Sequence, residues 1–172
     1  LIRAILIVIG LAVLSAFPVY AQSTEQSAPA AGAPAQPPVK IDRRFVDADL
    51  RIATGLVEPH FMAGWSGGRK VIAPGVAHAD TIRTFHSARF MEDPAAVQCN
   101  LERNPLHEEQ LAIVRMLGEV YAVNTVIDEH RALSHVNFGE IVESHMVAVR
   151  FVADSVRVPV GRRFHTVVTS AA

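Results

Sequence analysis

The chain has 172 residues, enough for one domain of ordinary size but not for two large ones. Hydrophobic residues make up 50% of it and charged residues 19%, so most of the chain can bury a core. The formal net charge is −1. This argues against binding to nucleic acid or to an anionic membrane, because such proteins carry a basic excess. The single cysteine, Cys99, cannot form an internal disulfide.

The first 21 residues differ in composition from the rest of the chain. Arg3 precedes an uncharged apolar run over residues 4–17, and Val19 and Ala21 precede Gln22 at the positions that a signal peptidase reads. The apolar run is shorter than the roughly 20 residues that cross a bilayer. We therefore predict a signal peptide at residues 1–21 and export to the periplasm, with an uncleaved anchor or a misassembled start as the alternatives.

The next segment is poor in large apolar residues. Residues 22–38 are mostly Ala, Pro, Ser, Gln and Gly, with a single charge at Glu25. Such a composition cannot offset the entropy of ordering a chain. We predict a disordered Pro/Ala linker at residues 22–40 and a compact domain at residues 41–172.

Within the predicted domain, helices alternate with buried strands, which is typical of an α/β fold. The capping signals are clearest at Asn104-Pro105, which predicts a helix start, and at Gly118, which predicts its end. Asp80 is a candidate N-cap for an earlier helix. The predicted strands cover residues 50–53, 120–127, 156–160 and 165–170, the predicted helices cover residues 81–90, 105–117 and 140–153, and a long functional loop covers residues 55–75.

The loop at residues 55–75 concentrates the residue types that carry chemistry. Lys70 is one of only two lysines and follows Arg69, and a neighbouring cation together with partial burial would lower the pKa of its amine. Such a lysine can act as a nucleophile. Ser66, Gly67 and Gly68 allow close approach of the backbone to a ligand, although the spacing is not that of a Walker loop. His60 and His86 flank the lysine, and neutral imidazole suits nickel, zinc, copper or iron.

The string from Glu58-Pro59-His60 through Ala63-Gly64-Trp65-Ser66-Gly67-Gly68 to Lys70 resembles the nickel-pincer lactate racemase family. The resemblance continues through residues 104–107 and through Val123-Asn124, so that it covers roughly residues 47–172. It implies part of the N-terminal domain of a lactate-racemase-like α/β fold, with a mixed sheet and flanking helices.

The resemblance also implies the chemistry of the site. In that family a pyridinium bis-thiocarboxylic acid mononucleotide is joined to a lysine and holds nickel through one carbon, two sulfurs and a histidine. Carried over by position, Lys70 is the attachment lysine, His86 the nickel ligand and His60 one of two acid/base histidines. Ser66, Gly67 and Gly68 lie beside the cofactor. The implied activity is that of an isomerase that inverts a small 2-hydroxy acid by way of a keto acid.

The chain departs from the family in extent. The family's upstream segment supplies a second acid/base histidine and an arginine for the substrate carboxylate, whereas here the signal peptide and linker stand in its place. The family's following domain is also missing. We therefore expect an incomplete relative, a remnant, or one piece of a split enzyme whose missing segments come from a separate chain. Export is a further departure, because the family is largely cytoplasmic.

Two other readings of the sequence differ in kind. The chain can be an exported module that binds a nucleotide or a metal without turnover, or a non-functional remnant. A zinc hydrolase site built from His60, His78 and His86 is disfavoured, because no HExxH motif accompanies them. The remaining histidines are predicted to be structural or exposed: His107, His130, His135, His145 and His165.

Overall fold

The computed structural model describes residues 4–8 and 38–168 of the chain. The predicted signal peptide therefore lies outside the described residues except for residues 4–8, and the predicted linker except for residues 38–40. The elements in chain order are β1 (Ala4–Val8), α1 (Arg43–Val46), β2 (Leu50–Leu56), β3 (Pro59–His60), β4 (Gly64–Trp65), α2 (Arg69–Ile72), α3 (Ala79–Phe85), α4 (Ala88–Met91), α5 (Pro105–Leu117), β5 (Tyr121–Ile127), β6 (Leu133–Glu140) and α6 (Ile141–Val156).

The main sheet has four strands in the order β1-β2-β5-β6. The pairs β1–β2 and β2–β5 are parallel, whereas β5 and β6 form an antiparallel pair. A separate two-stranded antiparallel pair joins β3 to β4. The prediction of an α/β fold with a mixed sheet and flanking helices is confirmed.

Alternate residues of β2 and β5 face the helices and form the core. Ala53 and Ala122 are paired in register and are buried together with Ile72 of α2, Ile113 of α5 and Ile141 of α6. Farther along β5, Val126 packs in a second cluster against α6. Because side chains alternate between the two faces of a strand, these positions place α2, α5 and α6 on one face of the sheet.

The opposite face of the sheet is less covered within the described residues. Tyr121 and Val123 of β5 point to this face together with Val136 and Phe138 of β6, and the rings of Tyr121 and Phe138 stack at 5.7 Å. Val136 is 50% exposed and Phe138 60%. None of the helices in the described part of the chain is both long enough and apolar enough to cross a membrane.

Helix α5 begins and ends where the sequence predicts. The Asn104 side-chain oxygen accepts hydrogen bonds from the backbone N–H groups of Leu106 and His107, Pro105 occupies the first turn, and Gly118 follows the last helical residue with a positive φ. The Asn104 amide nitrogen also donates to the Met62 carbonyl at 2.9 Å. The cap thereby ties the helix to the loop that carries His60.

The helix predicted at residues 81–90 is shorter and is broken. α3 ends at Phe85, and α4 starts only at Ala88. Ser87 adopts an extended conformation, and its hydroxyl donates to the Thr84 carbonyl, which interrupts the helical ladder. Asp80 is not the N-cap, because the His78 ring nitrogen takes that role by accepting from the Asp80 N–H. His86 therefore lies at the C-cap of α3 and not inside a helix.

Two further expectations about strands were wrong. Residues 157–168 contain no strand, and residues 169–170 lie outside the described part of the chain. Val158 and Val167 are 77% and 78% exposed, so this apolar stretch has no partner strand within the described residues. β6 was missed, although its alternation of His135 and Asn137 with Val136 and Phe138 is typical of a half-buried strand. The predicted loop at residues 55–75 also contains the end of β2 and the short elements β3, β4 and α2.

Replacing Asn104 with Ala should lower the free energy of unfolding by about 2–4 kcal/mol, because it removes a helix cap and leaves a buried carbonyl without its donor. Urea unfolding of the full chain measures this loss. Glu140→Ala is the matched control, because the Glu140 carboxylate only caps α6. It should cost about 1 kcal/mol. An equal loss of unfolding free energy in the two variants would show that the Asn104 bond to Met62 contributes nothing to stability.

Candidate functional site

A cavity of about 80 Å³ lies between the β3–β4 pair, α2, the end of α3 and α5. It brings together the three predicted residues of greatest interest, His60, Lys70 and His86. Phe61 and His86 are exposed, so the cavity is open to solvent on their side. The complete lining comprises His60, Phe61, Met62, Ala63, Lys70, Pro74, Phe85, His86, Leu106 and Gln110.

Lys70 projects into this cavity from the short helix α2. Its amine makes no hydrogen bond or ion pair within the described residues, in contrast to the Lys40 amine, which lies 2.8 Å from an Asp80 carboxylate oxygen. Burial lowers the pKa of Lys70, and the neighbouring Arg69 lowers it further, against a small opposing effect of Glu58. A larger share of the amine is therefore uncharged and nucleophilic at a given pH.

Arg69 points the other way, into the protein. It is 1% exposed, and its guanidinium donates to the Ala63 carbonyl at 2.8 Å and contacts the His145 ring. No carboxylate pairs with it within the described residues, and its Nε has no partner there. Burial alone lowers the pKa of Arg69 to about 9. The guanidinium thus remains a cation at neutral pH. Its charge lowers the pKa of nearby titratable groups.

His145 of α6 is the direct neighbour of this guanidinium. Its Nε2 lies 2.8 Å from the Ser66 carbonyl oxygen and must donate to it, so Nδ1 is left to accept from Arg69. Burial and the Arg69 charge lower the pKa of His145 to about 3, against an opposing effect of the bond to Ser66. The ring is therefore neutral, and it links α6 to the loop that precedes Lys70.

His86 is held by a single bond that determines its tautomer. Its Nδ1 lies 2.8 Å from the Ile82 carbonyl oxygen, which can only accept, so the proton is on Nδ1. The Nε2 lone pair is then available to a metal, in the arrangement that metal-binding histidines usually have. Within residues 38–168, no three His, Cys, Asp or Glu side chains converge as a ready-made metal site.

His60 shows the opposite tautomer. Its Nδ1 accepts from the Ala63 backbone N–H at 3.1 Å, so the neutral ring carries its proton on Nε2. The ring stacks on Phe61 at 4.8 Å between centroids. Burial lowers the pKa of His60 to about 4, with smaller effects from Lys70, Arg69 and His86. His60 is therefore neutral at pH 7.

Ser66, Gly67 and Gly68 do not line the cavity, and their contact with a cofactor stays a prediction. The Ser66 hydroxyl donates to the Leu56 carbonyl and accepts from the Glu58 N–H. Gly67 and Gly68 have positive φ, and a Cβ on Gly68 would lie 2.4 Å from the His145 ring. In the structure, these residues form a tight turn that packs against α6.

Sequence reasoning missed Gln110, which lines the cavity from α5 and is 1% exposed. The sequence predicted His145 to be structural or exposed and Arg69 to be a cation beside Lys70, but it did not predict that both are buried and in contact. One signal was present for Gln110. It stands four residues after Leu106 and four before Val114, so a polar side chain interrupts the buried stripe of an amphipathic helix.

Comparison with known proteins identifies the class to which this fold and site belong. A model of the lactate racemase N-terminal domain matches residues 8–98, and the chain belongs to this family. It is 34% identical over 116 residues to a lactate racemase of Thermoanaerobacterium thermosaccharolyticum and 35% identical over 119 residues to one of Lactiplantibacillus plantarum. These alignments cover 67% and 69% of this chain but only 27% and 28% of the relatives.

Solved structures agree with this assignment. The lactate racemase apoprotein of T. thermosaccharolyticum matches with a TM-score of 0.66 and 34% identity, over 68% of this chain and 28% of that one. A protein from Thermotoga maritima shares the fold, with a TM-score of 0.55 and 23% identity over 69% of this chain and 30% of that one. The chain thus spans somewhat more than a quarter of the length of these proteins.

The lowered pKa values of the buried histidines predict that the protein loses stability in mild acid. His60 and His107 have pKa values of about 4 and His145 of about 3, whereas an unfolded histidine has 6.5. Between pH 6.5 and 4 the unfolded chain binds more protons, so the free energy of unfolding falls as the pH falls through this window and is fully restored above it.

Urea unfolding between pH 7.5 and 4.5 measures this effect. His107→Leu should reduce the proton uptake on unfolding by about one, because the pKa of this ring is lowered in the folded chain. An unfolding free energy that stays flat across the window in the unsubstituted chain would contradict the prediction.

Proposed function

We propose that this chain is the cofactor-bearing part of a lactate-racemase-type isomerase, with Lys70 as the attachment residue for a nickel-pincer nucleotide. Its substrate would be a small 2-hydroxy acid. The observation that carries the proposal is the single cavity lined by His60, Lys70 and His86. Three residues that are distant in sequence, and whose spacing resembles that of the racemases, face one space.

The residues present fit such a cofactor. The Lys70 amine is free to form a covalent bond, and the His86 Nε2 lone pair can supply one ligand to nickel. The buried charge of Arg69 lies next to the cavity residues and favours an anionic ligand there over a cationic one. A cavity of about 80 Å³ holds only the part of a mononucleotide nearest the lysine, so the rest must extend past the rim at Phe61 and His86.

When bound, the cofactor would supply a nickel centre capable of hydride chemistry, with Lys70 and His86 as the residues that would hold it. The chain's own residues position these parts. Lys70 anchors the group. Helix α5 forms one wall of the cavity, and Asn104 at its start is hydrogen-bonded to the Met62 carbonyl. His86 is fixed by its bond to Ile82, so that its Nε2 does not have to be ordered when the metal binds.

As a neutral ring, His60 is suited to donating a hydrogen bond from Nε2. Because its Nδ1 is engaged by the Ala63 N–H, the neutral ring has no lone pair free at Nε2 in this arrangement. For His60 to take the hydroxyl proton of a substrate at Nε2, the bond to Ala63 must first break and the tautomer must change. Donating a hydrogen bond from Nε2 requires no such change, whereas donating a proton requires that the ring first be protonated.

A complete racemase acts on both faces of one carbon, and His60 is the only histidine besides His86 that lines the described cavity. We propose that residues corresponding to the unmatched three quarters of the relatives, or a separate chain, provide the second acid/base group and a site for the substrate carboxylate. The partly exposed apolar face at Val136 and Phe138 is a surface that such a segment can cover.

The alternative of a binding module without turnover rests on the same observation. With one proton-transfer histidine in the cavity, the chain by itself can hold a ligand but serve only one face of a substrate carbon. In that case the cofactor loads on Lys70, and residues 1–172 alone give no detectable inversion of any 2-hydroxy acid.

Intact mass spectrometry tests the attachment. The full chain, expressed with the cofactor-making enzymes and nickel, should gain a mass that is absent from Lys70→Ala. Lys40→Ala, at the other lysine, should still gain it. An unmodified wild-type mass, or a gain that persists in Lys70→Ala, would reject the proposed function.

The nickel content of the same samples tests the metal ligand. His86→Ala should lower nickel about tenfold or more and leave the organic adduct in place, because only the protein's ligand is lost. His78→Ala is the control, because this ring caps α3 outside the cavity and should leave nickel unchanged. Equal nickel in the His86 and His78 variants would count against the assignment.

A further inference from the structure

Gln110 carries a polar atom that the folded chain leaves without a partner. Its side chain is 1% exposed, and its carbonyl oxygen, Oε1, accepts no hydrogen bond. Gln110 also lines the same cavity as Lys70. A buried acceptor without a donor destabilises a protein, and such exceptions call for an explanation.

The position of Gln110 in the fold does not explain the residue by itself. It stands on the buried side of α5, between Leu106 and Val114, where the core would favour an apolar side chain of the same length. A methionine there would remove the unpaired oxygen at almost constant volume. The glutamine is therefore better explained by something that occupies the cavity.

The two histidines and two backbone carbonyls of the lining are already engaged. His60 Nδ1 is taken by the Ala63 N–H, and its Nε2 bears the proton. His86 Nδ1 donates to Ile82, and its Nε2 is the nickel ligand in the proposed function. The carbonyls of Met62 and Ala63 already accept from Asn104 and Arg69. Within the described lining, Gln110 Oε1 is thus the side-chain acceptor that remains unused.

The Lys70 amine already carries N–H groups, and a covalent bond to it leaves one of them, without charge, that still needs an acceptor. An amide or thioamide linkage converts the lysine amine into a planar N–H, which has one proton to donate and is held near the cavity wall. An N–H buried there without an acceptor would be costly. Resting on the attachment at Lys70 in the proposed function, we infer that Gln110 is a binding residue whose Oε1 accepts the N–H of the linkage formed on Lys70.

The test uses the full chain in a Lys40→Arg background, which keeps a cation beside Asp80 and leaves Lys70 as the single lysine. The probe is the N-hydroxysuccinimide ester of nicotinic acid. The Lys70 nitrogen attacks the ester carbonyl, a C–N bond forms, the C–O bond breaks, and N-hydroxysuccinimide leaves while the proton goes to the buffer. Peptide mass mapping confirms the position of the amide.

Melting temperatures are then compared for the glutamine protein and Gln110→Met, each with and without the amide. Without it, Gln110→Met should melt about 2–6 °C higher, because an unpaired buried acceptor has been removed. With it, the glutamine protein should gain about 2–6 °C more than Gln110→Met does. Gln98→Met, at an exposed glutamine, should show neither difference.

Two results would overturn the inference. One is a lower or unchanged melting temperature of unmodified Gln110→Met, which would give Gln110 a structural role; this comparison remains decisive even when Lys70 resists acylation. The other is an equal gain from the amide in both proteins. A chain that takes up no nickel-pincer nucleotide but shows the expected amide coupling would refute the proposed function alone.

Discussion

The turn at residues 66–68 lies directly against α6, and the rest of the site depends on this contact. Gly68 leaves no room for a side chain beside the His145 ring, and the Ser66 carbonyl accepts from that ring at 2.8 Å. With the turn held there, the next two side chains diverge. Arg69 enters the interior beside His145, and Lys70 lines the cavity on the other side. One steric constraint thus sets the direction of both cations.

The buried Arg69 charge gives the site its electrostatic character. With no carboxylate beside it in the described residues, it contributes to the lowered pKa values of Lys70, His60, His107 and His145. Burial acts in the same direction at each of these groups. The region therefore combines a fixed cation, neutral imidazoles and an amine whose pKa is lowered, which suits covalent attachment and the binding of anionic ligands.

Several elements of this fold could be predicted because they depend on short stretches of sequence. The cap at Asn104, the stop at Gly118 and the apolar run of β5 depend on a few neighbouring residues, and each lies where it was predicted. The prediction of one helix over residues 81–90 was wrong. The His78 ring caps α3 so that it begins earlier, and the Ser87 hydroxyl bonds to the Thr84 carbonyl where α3 ends. The strands predicted after residue 155 failed, because a strand needs a neighbour that local apolar residues do not provide.

The sequence by itself determined the family, the α/β class, the bounds of α5 and β5, and the residue types at positions 60, 70 and 86. Residue types in an irregular motif are enough for that. Only the tertiary structure decided that these three side chains share one cavity and which nitrogen carries the proton in the rings of His60 and His86. It also showed that Gln110 joins them from α5. These properties depend on contacts between residues that are remote in the chain. A local sequence pattern does not show which remote group will donate or accept a hydrogen bond.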